Sequence, residues 1–352
     1  MIRARVAGFV RAGLIRRVAF GLEALDRLRR PPFDDVPAPE GRTVRTEDCQ
    51  LLAVVAHWRG SGDHDPAPFH TCLAGLLGTG TERLEIVVVT DRDADVLAEL
   101  AALRAAGDLR DVELRQGPWE QPATTPRSIT VHRWRPRWPY RHGFYLTWEH
   151  KRIFQRAHRT GAFTHLLALE DDIGFTAENL AYWLVARAPL AERGLITGFV
   201  RFEQRDGRAV LSDQSRTGQH VDAGVAVELP DDALRPARVS MRPYQALMLL
   251  DRPLAERHLT SSSTRSPLRS AVLTWGVRER ASAGETFRPT ARPLVGVLRP
   301  ASVPRPVSRH AVLVNGATAA TRPVAGALVE HLRPLTSVGE GSRVATVPVD
   351  EY

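Results

Sequence analysis

The sequence predicts an α/β fold, with a mostly parallel sheet flanked by helices. Three observations predict it. Short apolar runs alternate with helical patterns from about residue 50 to about residue 190. The runs LLAVVAH (51–57), LEIVVVTD (84–91) and HLLALE (165–170) are rich in valine and leucine without polar alternation, as expected of strands buried on both faces. The chain has 352 residues, 43% of them hydrophobic, enough to fill one large domain or two modest ones.

The first element stands apart. Ile2, Val6, Phe9, Val10, Leu14, Ile15, Val18, Leu22, Leu25 and Leu28 recur mostly at steps of three and four, which predicts an amphipathic helix within residues 1–34. Eight arginines against Glu23 and Asp26 give residues 1–30 a net +6 of the chain's +8. A basic amphipathic helix can lie on an anionic membrane surface; it can equally pack on the main domain or on a partner. Pro31, Pro32, Pro37 and Pro39 mark residues 35–48 as a linker.

The main domain spans 49–335. After the first strand, residues 68–78 read as a short helix. LEIVVVTD is followed by a helix over 94–107 that ends in glycine. VELRQG and SITVHRW are further short strands. Residues 147–160 read as a helix with Thr147 as its N-cap, and Glu178 to Arg187 as the helix after HLLALE. From about residue 195 the pattern changes to shorter strands, in LITGFVRFE, AVLSD and VDAGVAVEL, with a helix expected at 243–250. Proline and arginine dominate after 285, giving an irregular C-terminal region and a tail at 336–352.

Composition excludes several classes. Lys151 is the only lysine, and the preference for arginine over lysine runs evenly along the chain. Beyond residue 30 the charge is only +2, with no basic-aromatic signature, so nucleic acid is not an expected partner. Cys49 and Cys72 are too few for a disulfide framework and lack metal spacing. No apolar run reaches the roughly 18 residues of a membrane span, and the N-terminus lacks the apolar core of a signal peptide. A cytoplasmic protein is expected, peripheral at the inner face of the cell membrane where residues 1–30 bind lipid and free of it where they pack on protein.

The chemistry concentrates in THLLALEDDIGF (164–175). An apolar strand runs straight into Glu170, Asp171 and Asp172, and apolar residues resume at Ile173 and Phe175. In an open α/β sheet, ligands bind at the carboxyl ends of strands. Three adjacent carboxylates repel one another, and a divalent cation is the simplest compensation. Hard oxygen ligands suit Mg2+ or Mn2+. The competing readings are a helix N-cap near residue 177 and a solvated loop. A phosphate-loop NTPase is excluded, because GLLGTGTE (75–82) lacks the lysine of that motif.

LLALEDDIGFTAENLAYWL resembles the metal-binding segment of GT-A-fold glycosyltransferases, in which an Asp-X-Asp variant (the DxD motif) ends a central strand and holds a metal on a nucleotide-sugar diphosphate. The resemblance extends over roughly residues 50–335, through FYLTWEHKRIF, LITGFVRFE and WGVRERASAG. Here the motif reads Glu-Asp-Asp. The resemblance implies a GT-A-like, Rossmann-type sheet with an acceptor-side C-terminal region. It implies Asp172 and Glu170 as metal ligands, with Asp171 beside the nucleotide. It places base and ribose near the ends of the first two strands, at His57 and Asp91, and makes His331 in LVEHLRP a further metal ligand, with His310 as its rival. Lys151 and Arg152 would contact phosphate or acceptor from a helix lining the cleft. An inverting transfer needs a base for the acceptor hydroxyl; Glu279 is the candidate, with Asp222 and Glu203 competing and Trp275 available to stack on a sugar.

The expected activity is metal-dependent transfer of a sugar from a nucleotide-diphosphate sugar to a glycan or lipid-linked acceptor. A nucleotidyltransferase that makes the nucleotide sugar is the first alternative, although HWRGSGDHDPAPF lacks that class's basic signature. A non-catalytic binding or scaffold protein on a degenerate version of the fold is the second.

Overall fold

Leu84 to Val89 are all buried, and their β-branched and leucine side chains can be covered only if both faces of the strand are packed. That requirement organises the domain. In the computed structural model, residues 36–41, 45–60, 64–136, 143–205, 208–211, 220–228, 234–240, 246–260, 310–315, 322–323, 325–332 and 347–348 are described.

Strands β1 (Gln50–His57), β2 (Arg83–Thr90), β3 (Glu113–Gln116), β4 (Arg127–Arg133) and β5 (His165–Glu170) form a parallel set. Helices α1 (Ala67–Leu77), α2 (Asp93–Ala106) and α3 (His150–Thr160) lie between them in sequence. After β5 come β6 (Ile173–Gly174), α4 (Ala177–Ala191), β7 (Ile196–Thr197), β8 (Val200–Arg205), β9 (Arg208–Leu211), β10 (His220–Glu228), β11 (Leu234–Ser240), β12 (Leu247–Asp251), α5 (Arg252–Thr260), β13 (His310–Asn315), β14 (Arg322–Pro323), β15 (Leu328–His331) and β16 (Val347–Pro348). The large sheet runs β12-β5-β1-β2-β4-β3, with only β12 antiparallel. A second sheet holds β10, β11, β13 and β14 with β7 on β13, and a third runs β16-β9-β8-β15-β6. The α/β class and the mostly parallel sheet flanked by helices are thus observed.

Two local readings change. The helix expected at 243–250 is replaced over its described part by β12, which pairs with β5 from Leu247↔Leu169 to Asp251↔His165. A run this short gains little as an isolated helix, whereas the edge of β5 offers a ready row of backbone partners. Helix α3 starts at His150 with Glu149 at its N-cap. Thr147 instead lies in the 3-10 turn Gly143–Trp148. The stretch set apart as a linker is partly built into the domain: Val36 is buried and the Pro37 carbonyl accepts from Arg187 Nη2 at 2.5 Å. Val347 and Pro348, within the expected tail, pair with β9. The N-terminal helix over 1–34 lies outside the described residues. No helix among the described residues is long and apolar enough to cross a membrane.

Candidate functional site

The parallel register sets the site. Ala56 pairs with Glu170, and His57 pairs with Thr90, so the carboxyl ends of β1, β2 and β5 lie side by side. Asp171 N–H donates to the Ala56 carbonyl at 3.2 Å, extending the ladder one step past β5. Asp171 and Asp172 then form the turn by which the chain leaves the large sheet and enters the third sheet through β6. This explains the abrupt sequence pattern: Ile173 and Phe175 are fully buried in the core beyond the turn. Glu170 and Asp171 are themselves buried. Glu170 N–H donates to the Ala246 carbonyl at 2.9 Å; Ala246 holds a φ of 56°, a left-handed conformation that costs a non-glycine residue energy and often marks functional sites.

One arm of the site comes from far along the chain. Strand β15 pairs with β8 in parallel and with β6 in antiparallel, matching His331 to Ile173. Leu332 N–H donates to the Asp172 carbonyl at 2.7 Å. These pairings deliver His331 Nε2 to 3.3 Å from Asp172 Oδ2, while Nδ1 lies 3.0 Å from Glu203 Oε1. Glu203 is fully buried. Burial works against a charged His331 ring, but hydrogen bonding and charge from Asp172, helped by Glu203, outweigh it, so the ring titrates above its ordinary value. Helix α4 supports this arm. Thr176 N–H donates to Asn179 Oδ1 at 2.9 Å and the Thr176 side chain accepts from Asn179 N–H. This is a reciprocal cap, so the helix is capped by threonine rather than by the acidic triplet. Asn179 Nδ2 also donates to the Leu328 carbonyl at 2.8 Å, fixing the start of β15.

The other arm belongs to β1. His57 Nδ1 lies 2.6 Å from Asp171 Oδ2, and Arg59 Nε donates to His57 Nε2 at 3.1 Å. Nε2 is therefore the acceptor and Nδ1 carries the proton donated to Asp171. Phe69 of α1 stacks on the ring, with centroids 4.1 Å apart. The His64 ring approaches edge-on at 4.9 Å. One ligand atom from each of His57, His64 and Asp171 lies within 4.8 Å of the others. Burial and the charges of Asp171 and Asp172 push the nearby Cys72 thiol well above its ordinary value, so it stays protonated.

The remaining expected residues are placed as follows. Asp91 accepts from Arg59 N–H at 3.0 Å and from Gly60 N–H at 3.2 Å, so it clamps the loop after β1. Lys151 is buried, with Nζ 4.2 Å from the centre of the Trp148 ring, a cation-π contact rather than a solvated face. Arg152 is exposed and pairs with Glu149 at 3.4 Å. His310 begins β13 in the second sheet, and Asp222 lies in β10. Glu279 and Trp275 lie outside the described residues. A cavity of about 290 Å³ lined by Glu40, Trp183, Arg187 and Asp251 also includes His165; it opens at the amino end of β5, away from the acidic turn.

The site thus joins Glu170, Asp171, Asp172, His57 and His331. Asp91 stands beside it as a loop anchor. Sequence reasoning missed His64, and it weighed Glu203 only as a competing base. The spacing HWRGSGDH, two histidines separated by a short glycine-containing stretch, is the signal that would have found His64. No protein-family model matches the chain, and no curated protein is significantly similar to it.

Proposed function

We propose that the chain is a metal-dependent glycosyltransferase of the GT-A type, using a nucleotide-diphosphate sugar as donor. The observation that carries this reading is the placement of Asp172 in the turn just past the carboxyl end of β5, between β12 and β1 in the large sheet, with His331 turned onto it. A histidine that gives one nitrogen to a carboxylate and turns the other toward an acidic ligand is the usual support of a metal ligand. Asp172 and His331 would hold Mn2+ or Mg2+, with Glu170 beside them, and Glu203 would fix the ring of His331. When bound, the cation offsets charge developing on the leaving diphosphate.

The chain's own residues supply the rest. Asp91 holds the loop after β1 in place, so the exposed Trp58 would present a fixed wall to the nucleotide, with the buried His57 supporting it from behind. Glu203 is buried and occupied by His331, which removes it as a base facing an acceptor. Glu279 is the proposed base, with Asp222 as its remaining rival. The proposed acceptor is a lipid-linked or cell-wall glycan, reached from the cytoplasmic face of the membrane, where residues 1–30 would bind anionic lipid.

The test is turnover of a panel of nucleotide sugars with and without Mn2+. Metal-stimulated release of a free nucleoside diphosphate supports the reading. Pyrophosphate exchange would point to a nucleotidyltransferase instead. No turnover in either condition, with Asp172→Ala indistinguishable from the wild type in nucleotide binding, leaves a binding or scaffold protein.

A further inference from the structure

We propose that His57, His64 and Asp171 form a second divalent-cation site, nitrogen-rich and selective for zinc-like ions, on the opposite flank of the acidic turn. The proposal rests on geometry alone and stands whatever reaction the domain carries.

Three observations converge. The ligand atoms already lie within 4.8 Å of one another. Bonds of about 2.1 Å put tetrahedral ligand atoms roughly 3–3.5 Å apart, so the His57–Asp171 pair, now at 2.6 Å, opens slightly while His64 turns in, both by small side-chain rotations. The His57 ring is fixed before any ion arrives, stacked on Phe69 and held at the end of a buried strand. The donor set is two imidazoles and one carboxylate. Imidazole favours zinc and its neighbours in the transition series over Mg2+, which prefers an all-oxygen shell. Three protein ligands leave a position for water or for an oxygen of a bound ligand. This set differs from the Asp172–His331 pair, where one histidine joins the acidic turn.

Arg59 makes the site conditional. Its Nε donates to His57 Nε2, which holds the ring as the tautomer with its proton on Nδ1, facing Asp171 Oδ2 at 2.6 Å. An ion on Nδ1 takes that nitrogen's lone pair. The ring proton moves to Nε2, and the bond from Arg59 is lost. No proton leaves the neutral ring. Arg59 keeps its ion pair with Glu99, so it has somewhere to stay when the ion enters. Arg59 thus opposes the ion, both by its charge and by the tautomer it selects.

The experiment uses the full, untagged chain, stripped with a chelator and titrated with Co2+ while visible absorption is followed. The expected result is the d–d spectrum of a nitrogen-ligated cobalt site. Added Zn2+ bleaches it, and excess Mg2+ does not. His64→Ala weakens Co2+ binding at least about tenfold, His331→Ala preserves it, and Arg59→Met tightens it. A gain of affinity with an unchanged far-UV circular dichroism spectrum cannot come from misfolding, so Arg59→Met keeps the test decisive if His57→Ala fails to fold. No cobalt spectrum in the wild type overturns the proposal. A spectrum lost in His331→Ala but retained in His64→Ala overturns it as well. The donor-turnover assay reads Asp172 and His331, and His64, placed only in this second site, separates the two outcomes.

Discussion

His331 Nε2 faces Asp172 Oδ2 at 3.3 Å while its Nδ1 faces Glu203 Oε1 at 3.0 Å. One ring therefore ties the acidic turn to β8 through a fully buried carboxylate. Glu203→Gln keeps the size of the side chain and removes its charge. Mn2+ affinity is expected to fall about 10- to 100-fold, the usual effect of losing an outer partner of a metal ligand, and His331→Ala to fall further. Calorimetric titration measures both; an unchanged affinity in Glu203→Gln would remove it from the metal support.

Asp172→Asn leaves the backbone of the turn intact, since the Asp172 carbonyl accepts from Leu332 N–H at 2.7 Å. Metal-stimulated release of nucleoside diphosphate is expected to drop by more than about 100-fold, beyond the effect of an outer-shell loss. Far-UV circular dichroism should be unchanged. Wild-type turnover in the variant would refute Asp172 as a metal ligand.

Gly75 sits where α1 meets the strand that leaves the acidic turn. A Cβ at this position would stand 2.5 Å from the Phe175 carbonyl oxygen. Backbone cannot swing aside as a side chain can, so Gly75→Ala is expected to cost about 1–3 kcal/mol. Urea denaturation gives the value, and a variant as stable as the wild type would show that α1 can shift freely.

Arg187 and Asp251 form a buried pair, Nε to Oδ2 at 2.9 Å. Asp251 Oδ1 also caps α5 through Leu254 N–H at 3.0 Å. Burial pushes the Asp251 carboxyl above its ordinary value despite the arginine. Arg187→Met strands the carboxylate and is expected to cost about 3–5 kcal/mol. The double variant with Asp251→Asn keeps the cap and should recover part of that loss. Equal losses in the single and double variants would contradict the charge argument.

Acid should destabilise the domain through buried histidines. Burial holds His150 down to about 3 and His165 to about 4, and holds His258 well below its ordinary value. His150 Nε2 and His258 Nε2 lie 3.1 Å apart, a contact that two charged rings would not tolerate. These groups bind protons more readily unfolded than folded. Their contribution is fully present above the unfolded value near 6.5 and is lost as pH falls from there toward 3–4. Each adds a slope of up to about 1.4 kcal/mol per pH unit. Denaturation series between pH 8 and 4 test this, and His165→Gln should flatten the curve.

Much of the sheet was legible because it is a local matter. The valine run of β2 and the leucine run of β5 need two covered faces wherever they lie, and no partner has to be known to say so. The acidic triplet was legible for the same reason, since like charges at a strand end demand compensation. The short run at β12 was not, because the same few apolar residues suit a helix or a strand until a neighbouring edge decides. Asp91 read as a ribose contact; the backbone N–H groups of Arg59 and Gly60 that engage it are invisible in one dimension.

By itself the sequence determined the α/β class, the buried strands and the place where negative charge collects. The tertiary structure alone decided which histidine meets which carboxylate. Asp171 received His57 because β1 and β5 are parallel neighbours in a fixed register. Asp172 received His331 because β15 pairs with β6. Burial and charge are properties of a segment, whereas long-range pairing depends on how distant strands find each other's hydrogen-bonding edges, and no local pattern records that.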